Sequence, residues 1–352
     1  NEDPDARRVF DIKWTSWKRV ASLYNRISLQ QLVNHVPAHD QIHQKSNLLH
    51  NCRGFLSPEE LSTRYPRTYD LRSPNELKLF VLDFIFQKAI NTLQNAHREE
   101  VTVSDAAVCV ALRVCTRYLD MVPSLPIDVS DGRPNLGWAA PKCTPEVPMN
   151  FLLHSLAEWR ALLGTDPLLH SYVRKWSWPL IEANQKSYVP EEFVRPSCLE
   201  VYAMLENLQN DERCKLMFVP ENGSHNVWIV KNPNMSRGRG ITVYDDLNMI
   251  LEDASQLRKI VANPKSSESR WTTIIQRYIE HPLTMDTDVG DCKVDIRVWT
   301  VVLDFNPLTV AVNIKPYFRV CQQPYRLDSD AMTPEHLAGH LSNRSVQEER
   351  AG

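Results

Sequence analysis

The hydrophobic pattern of this chain changes period near residue 216. Before that point, apolar residues recur at helical spacing. Leu77, Phe80, Val81, Phe84 and Ile85 share one helix face, a second pattern runs from Ser104 or Asp105 to Tyr118, and a third covers Asn150–Leu163 and stops at Gly164. After it, β-branched and aromatic runs dominate, at Val227–Val230, Ile241–Tyr244, Trp271–Ile279, Val294–Asp304 and Thr309–Phe318. One helix, Asp246 to about Val261, separates the second run from the third. Helices early, then strands with a crossover helix, predict an α/β (α+β) fold. Ser73–Glu76, with Pro74 at the first helical position, and Ser197–Glu200 are capping boxes that mark helix starts. The prolines between 122 and 148 predict a long loop.

Composition narrows the partners. The 352 residues leave room for two or three domains, and a net charge of −3 excludes a general nucleic-acid binder. Basic residues cluster locally, at Lys231–Arg239, Arg270–Arg277 and Lys293–Arg297, which suits a nucleotide or an acidic peptide. The eight cysteines form no CxxC and have no histidine at zinc-ligand spacing, so reduced core thiols are expected, Cys109 and Cys115 among them. His35, His39, His43 and His50 stand in polar surroundings and read as surface or structural residues. The longest apolar run, Leu77–Phe86, is broken by Lys78 and Asp83 and is too short to span a bilayer. The chain begins at Asn1, as expected of a fragment, and no stretch resembles a signal peptide.

Asn226–Ile241 reads NVWIVKNPNMSRGRGI: an apolar run ending in Lys231, a polar loop with Arg237-Gly238-Arg239-Gly240, then Ile241. A strand, a basic glycine-bearing loop and a second strand suit a polyphosphate, because glycine lets backbone N–H groups approach closely while Lys and Arg neutralise charge. It is neither a P-loop nor a dinucleotide fingerprint, and a hairpin with a solvated basic tip fits the same residues. Alternation along Lys293–Trp299 puts Lys293, Asp295, Arg297 and Trp299 on one face, and Val294, Ile296 and Val298 on the other, toward a core. A solvated face of self-paired charges would look alike. Gln276-Arg277-Tyr278-Ile279 ends a strand that bends at Pro282. The Gln276 amide has the donor and acceptor to read an adenine edge.

In this order, the blocks resemble the tubulin–tyrosine ligase-like family of ATP-grasp enzymes. The family pattern is a strand ending in Lys, an RGxGI loop, Q-[KR]-Y-I-x-x-P-L, then K-x-D-I-R-x-W. This chain has Lys231, Arg237-Gly238-Arg239-Gly240-Ile241, Gln276-Arg277-Tyr278-Ile279 with Pro282-Leu283, then Lys293, Asp295-Ile296-Arg297 and Trp299. Tyr317-Phe318-Arg319 matches the next family element. Val33-Asn34-His35, Tyr65–Tyr69 and Asp304–Thr309 are similar to the glycine-adding branch. The likeness is dense from 216 to 345.

The resemblance implies an ATP-grasp ligase with an N-terminal domain (1–72), a central domain (73–281) with a helical insertion at about 73–210, and a partial C-terminal domain (282–352). It implies ATP and Mg²⁺ as cofactors. Glycine would be joined to the side-chain carboxylate of tubulin-tail glutamates through an acyl-phosphate, by a monomeric protein of the cytoplasm, microtubules or cilium, without nucleic-acid or membrane partners. Glutamate ligation and non-catalytic tubulin or nucleotide binding are the alternatives. Lys231, Arg237, Gly238, Arg239, Gly240 and Ile241 would hold phosphates. Gln276, Tyr278 and Ile279 would line the adenine slot, Tyr278 and Ile279 largely through backbone, and Arg277 would belong to the same nucleotide site. Lys293 and Asp295 would meet the nucleoside, while Arg297 and Arg319 would face the γ-phosphate and the acceptor carboxylate.

Two departures stand out. Asn232 and Met235 occupy places where the family usually has proline and lysine, so one phosphate contact is expected to be lost. No Glu-x-Asn follows Arg319, and Glu182-Ala183-Asn184 is out of order. The metal ligands are therefore expected beyond this chain, with apolar surface left exposed.

Overall fold

The computed structural model describes residues 12–14, 31–35, 39–57, 60–61, 64–71, 74–98, 103, 105–121, 127–128, 133–134, 196–211, 214, 223–232, 235–247, 249–254, 273–305, 307–328 and 332–348. Its strands and helices mix as the sequence patterns predict, in an α+β arrangement. The expected helix at 150–163, Ser73, Glu182–Asn184, residues 255–272 and most of the proline-rich stretch lie outside these residues.

The amino-terminal part holds a parallel pair of short strands, β1 (Ile12–Lys13) and β2 (Leu32–Val33), then helices α1 (Asp40–His43) and α2 (Lys45–Phe55). The central sheet is antiparallel. It is built from β3 (Thr68–Asp70), β6 (Trp228–Lys231), β7 (Ile241–Tyr244) and β8 (Ile274–Arg277), in the order β3-β8-β6-β7. Between β3 and β6 come α3 (Pro74–Arg98), α4 (Asp105–Met121), the two-residue strands β4 (Ile127–Asp128) and β5 (Arg133–Pro134), and α5 (Cys198–Asn210). Ser197 and Glu200 form the expected capping box at α5. At α3, Glu76 pairs with Arg53 at 2.8 Å and accepts the Asp70 N–H at 2.6 Å, tying the helix start to β3.

Alternation along the strands divides the central sheet into two faces. Trp228, Val230, Ile275 and Tyr69 point to one of them and join the main core with α3, α4 and α5. Helix α3 is buried nearly all round (Phe80, Phe86, Ala89, Ile90 and Leu93 are fully covered) rather than along one stripe. Phe86 stacks on Tyr118 of α4 at 3.7 Å between centroids. Burying each such side chain contributes about 1.5–3 kcal/mol. Polar groups in this core pair with one another: Arg67 binds Asp83 and, at 2.9 Å, Gln87, while the Tyr69 hydroxyl donates to Asp83 at 2.6 Å. The other face carries Thr68, Ile229, Lys231 and Gln276.

A second antiparallel sheet, in the order β13-β10-β9, comprises β9 (Thr284–Thr287), β10 (Gly290–Arg297) and β13 (Tyr317–Val320). The two long apolar runs of the sequence each break in two. Val298-Trp299 ends β10 before β11 (Thr300–Phe305), and β12 (Leu308–Val312) is separate from β13. β11 and β12 form a hairpin. A 3₁₀ turn (Pro334–Gly339) and α6 (Arg344–Glu348) close the described chain and pack with Val227, Ile229, Val243 and Tyr278 in a small second core.

The expectation that Val294, Ile296 and Val298 all face a core holds only for Val294. Ile296 is 56% exposed and Val298 42%. Among the described residues nothing covers the outer half of β10, and Val301, Leu303, Leu308, Val310 and Val312 of the adjoining hairpin are exposed too.

Candidate functional site

β6 runs through the core and delivers Lys231 at its end, where the chain turns into the loop to β7. The loop is held by its own backbone. Met235 N donates to Asn232 O at 3.2 Å, and Asn232 N to Gly240 O at 3.3 Å. Arg237, Gly238 and Gly240 all have positive φ, of 64°, 79° and 61°. At Gly238 the requirement is also steric, since a Cβ would lie 2.6 Å from Val346 Cγ2. The side chains of Arg237 and Arg239 are exposed, while the Arg237 carbonyl accepts from Ser345 Oγ of α6.

A residue with no place in the sequence motif completes the loop. Lys45, the first residue of α2, sends its Nζ to the carbonyl oxygens of Met235 at 2.9 Å and Asn232 at 3.4 Å. Lys45 thus brings an ammonium group against the loop that carries Met235. The contact spans 190 residues, so no local pattern could reveal it.

Lys231 Nζ donates to Gln276 Oε1 at 2.5 Å, and Gln276 Nε2 donates to Thr68 Oγ1 at 2.9 Å. The Gln276 amide thus bridges Lys231 and Thr68 across the sheet. Lys293 of β10 approaches from the second sheet, donating to His340 O at 3.0 Å and Tyr278 Oη at 3.3 Å, with the Tyr278 ring 4.9 Å below it.

Burial lowers the pKa of all three lysines. Lys231 falls to about 8, through burial first and then the like charges of Lys45 and Lys293. At Lys293 the nearby Asp295 opposes the shift. None of the three forms an ion pair with a carboxylate among the described residues. The like charges of Lys45 and Lys293 beside Lys231 are unfavourable alone, and a bound anion would offset that cost.

Asp295 accepts a hydrogen bond from Ser342 Oγ. His340 and Ser342 therefore tie the segment before α6 to β10, and Ser345 ties α6 itself to the loop. Nothing in their local pattern marks them. Tyr278 is buried, its hydroxyl shared with His340 Nδ1 at 3.1 Å, and its backbone N–H donates to Val227 O. Ile279 is half-exposed at the hinge, and Ile241 opens β7 opposite Lys231.

Arg277 does not belong to this site. Its neighbour Gln276 shares the face of Lys231, so strand alternation turns Arg277 to the helix-covered side. There its guanidinium is buried against Asn226 Oδ1, Val227 O and Glu280 Oε1 at 2.9–3.1 Å and lies over the Trp228 ring. Glu280 also accepts the N–H groups of His225 and Val227, fastening the hinge to the start of β6.

Arg297 and Arg319 lie farther out on the face of Lys293 and Asp295, because Asp295 stands opposite Arg319 and Arg297 opposite Tyr317. Among the described residues no group of three or more His, Cys, Asp or Glu side chains is placed to hold a metal ion. No helix among them is long and apolar enough to cross a membrane.

The model of the Tubulin-tyrosine ligase family matches residues 169–351. The chain is 26% identical to "Tubulin glycylase 3D" of Tetrahymena thermophila, over 97% of its own length and 34% of that protein's. It is 25% identical to "Tubulin monoglycylase TTLL3" of Mus musculus, over 95% and 34%, and 26% identical to "Protein monoglycylase TTLL8" of Homo sapiens, over 95% and 37%. It spans about a third of the length of these relatives. With the glycine-bearing loop, the hinge and the charged strand all inside the matched region, the chain belongs to the tubulin-tyrosine ligase family.

Proposed function

We propose that this chain carries the nucleotide- and acceptor-binding part of an ATP-dependent ligase that joins glycine to glutamate side chains of tubulin tails. The observation that carries the reading is that Lys45, against the loop after β6, and Lys293, on the second sheet, both bring like charge to Lys231, with no carboxylate paired to any of the three among the described residues. Those lysines and the loop backbone would hold the triphosphate of ATP. Asp295, tied to Ser342, and the Tyr278–Ile279 hinge would hold the nucleoside. Bound ATP supplies the phosphoryl group that turns a carboxylate into an acylating agent. The protein's part is positioning and neutralisation of developing negative charge, with Arg297 and Arg319 facing the acceptor carboxylate. No side-chain nucleophile is needed.

Glycine as the donor, and the microtubule cytoskeleton as the place of action, are supported by the relatives' names, which specify glycylases of tubulin or protein. The test is incubation of the protein with microtubules, ATP and labelled glycine or labelled glutamate. ATP-dependent label from glycine is expected. Label from glutamate alone would replace this reading with glutamate ligation, and no label despite bound tubulin would make the chain a binding protein.

A further inference from the structure

Beyond the three lysines, the charged face of the second sheet has a regular construction. Arg297 lies over the ring of Trp299, two residues along the same edge, at 5.0 Å. Arg319 lies over the ring of Tyr317, two residues back along its own strand, at 5.7 Å, and its Nη2 donates to the Tyr317 hydroxyl at 3.1 Å. Arg297 stands directly opposite Tyr317 in the β10–β13 register, so the residues form one row: Arg319, Tyr317, Arg297, Trp299. Residues opposite each other in an antiparallel pair have Cβ atoms about 5 Å apart. Two guanidinium groups are thereby held on neighbouring aromatic supports.

The carboxylate nearest this row in the register is Asp295, opposite Arg319, and it is engaged by Ser342. Neither arginine forms an ion pair among the described residues. An aromatic face fixes the plane of a guanidinium without neutralising it, and leaves its N–H edge free to fork onto an incoming carboxylate. A carboxylate neighbour would instead compete with the ligand. Trp299 and Tyr317 are 53% and 41% exposed, so neither ring is committed to the core.

We infer that Trp299 and Tyr317 are positioning residues that hold Arg297 and Arg319 as a paired receptor for an acidic peptide, with the rings also bearing the methylenes of its glutamates. This rests on the reading that the two arginines meet the acceptor, and not on the phosphate loop. It assigns a role to two aromatics that the nucleotide site does not use.

The test is fluorescence anisotropy of a labelled polyglutamate peptide with the whole chain. Trp299→Leu and Tyr317→Leu are each expected to weaken binding about twofold to fivefold, the range of an exposed cation–π contact. Trp299→Phe should recover most of the affinity, whereas Trp299→Lys, which adds charge but no ring, should not. ATP affinity should be unchanged in all of them. Unchanged peptide affinity in both leucine variants, recovery by Trp299→Lys, or no peptide binding by the unsubstituted chain would each overturn the inference. ATP affinity unaffected by Lys231→Met would instead overturn the nucleotide reading, so the two failures are distinguishable.

Discussion

Lys231 Nζ meets Gln276 Oε1 at 2.5 Å across the β6–β8 pair, so this buried ammonium rests on a neutral amide rather than on a carboxylate. With Lys45 and Lys293 adding like charge, its pKa lies near 8. A lysine with a lowered folded-state pKa penalises folding fully below that value, where it is charged in both states. The penalty fades as pH rises toward the unfolded value, because the unfolded chain then binds more protons. The stability of the unsubstituted protein relative to Lys231→Met is therefore expected to increase from pH 8 toward 10.5, by up to ~1.4 kcal/mol per pH unit. Denaturant unfolding of both proteins across that range checks it, and a flat difference would assign the lysine an ordinary pKa.

Nucleotide binding should carry the same signature with the opposite direction. A polyphosphate favours the charged lysine, so binding near pH 8 should take up a proton, and affinity should fall as pH rises further. Calorimetric titration with ATP in buffers of different ionisation enthalpy measures the uptake directly. Lys231→Met should abolish it.

Lys45 pins the loop through two carbonyl groups and also places a cation beside it. Lys45→Ala is expected to weaken ATP binding about tenfold, in line with losing charge-assisted hydrogen bonds. It should also speed amide exchange over 235–240. Faster exchange with unchanged ATP affinity would confine Lys45 to a structural role.

The two loop glycines should respond differently to alanine. At Gly238 an added Cβ meets Val346 at 2.6 Å, while at Gly240 it meets the flexible Met235 sulfur at 3.0 Å, both at positive φ. Gly238→Ala is expected to cost about 1–3 kcal/mol, more than Gly240→Ala. Thermal unfolding ranks the two.

Arg277→Met should lower stability rather than nucleotide affinity. Removing Arg277 leaves the buried Glu280 only the His225 and Val227 N–H groups and the His225 ring, a cost of up to about 3–5 kcal/mol. Chemical denaturation measures this cost, and ATP titration of the folded fraction should be unchanged.

Legibility of the fold and site followed the range of the interactions. The β6–loop–β7 unit lies within a short stretch whose apolar runs and glycines are local signals, and it formed where the pattern placed it. The capping box at Ser197 is local in the same way. Arg277 was assigned with its motif neighbours although period-two alternation already separates it from Gln276. Its partners Asn226 and Glu280 become visible only once the strands pair. Lys45, His340 and Ser342 are brought in by tertiary packing, and their own surroundings in the sequence are unremarkable. Ile296 and Val298 alternate like core residues, yet exposure depends on what covers a sheet, which alternation does not encode.

If Lys45, Lys231 and Lys293 hold a triphosphate, removing the Lys231 charge must weaken ATP binding. Calorimetric titration of the protein with ATP, alongside Lys231→Met, tests it most directly. The account predicts binding by the unsubstituted protein and at least a tenfold loss in the variant, with the variant still folded. Equal affinity in the two proteins, or no binding by either, would contradict it.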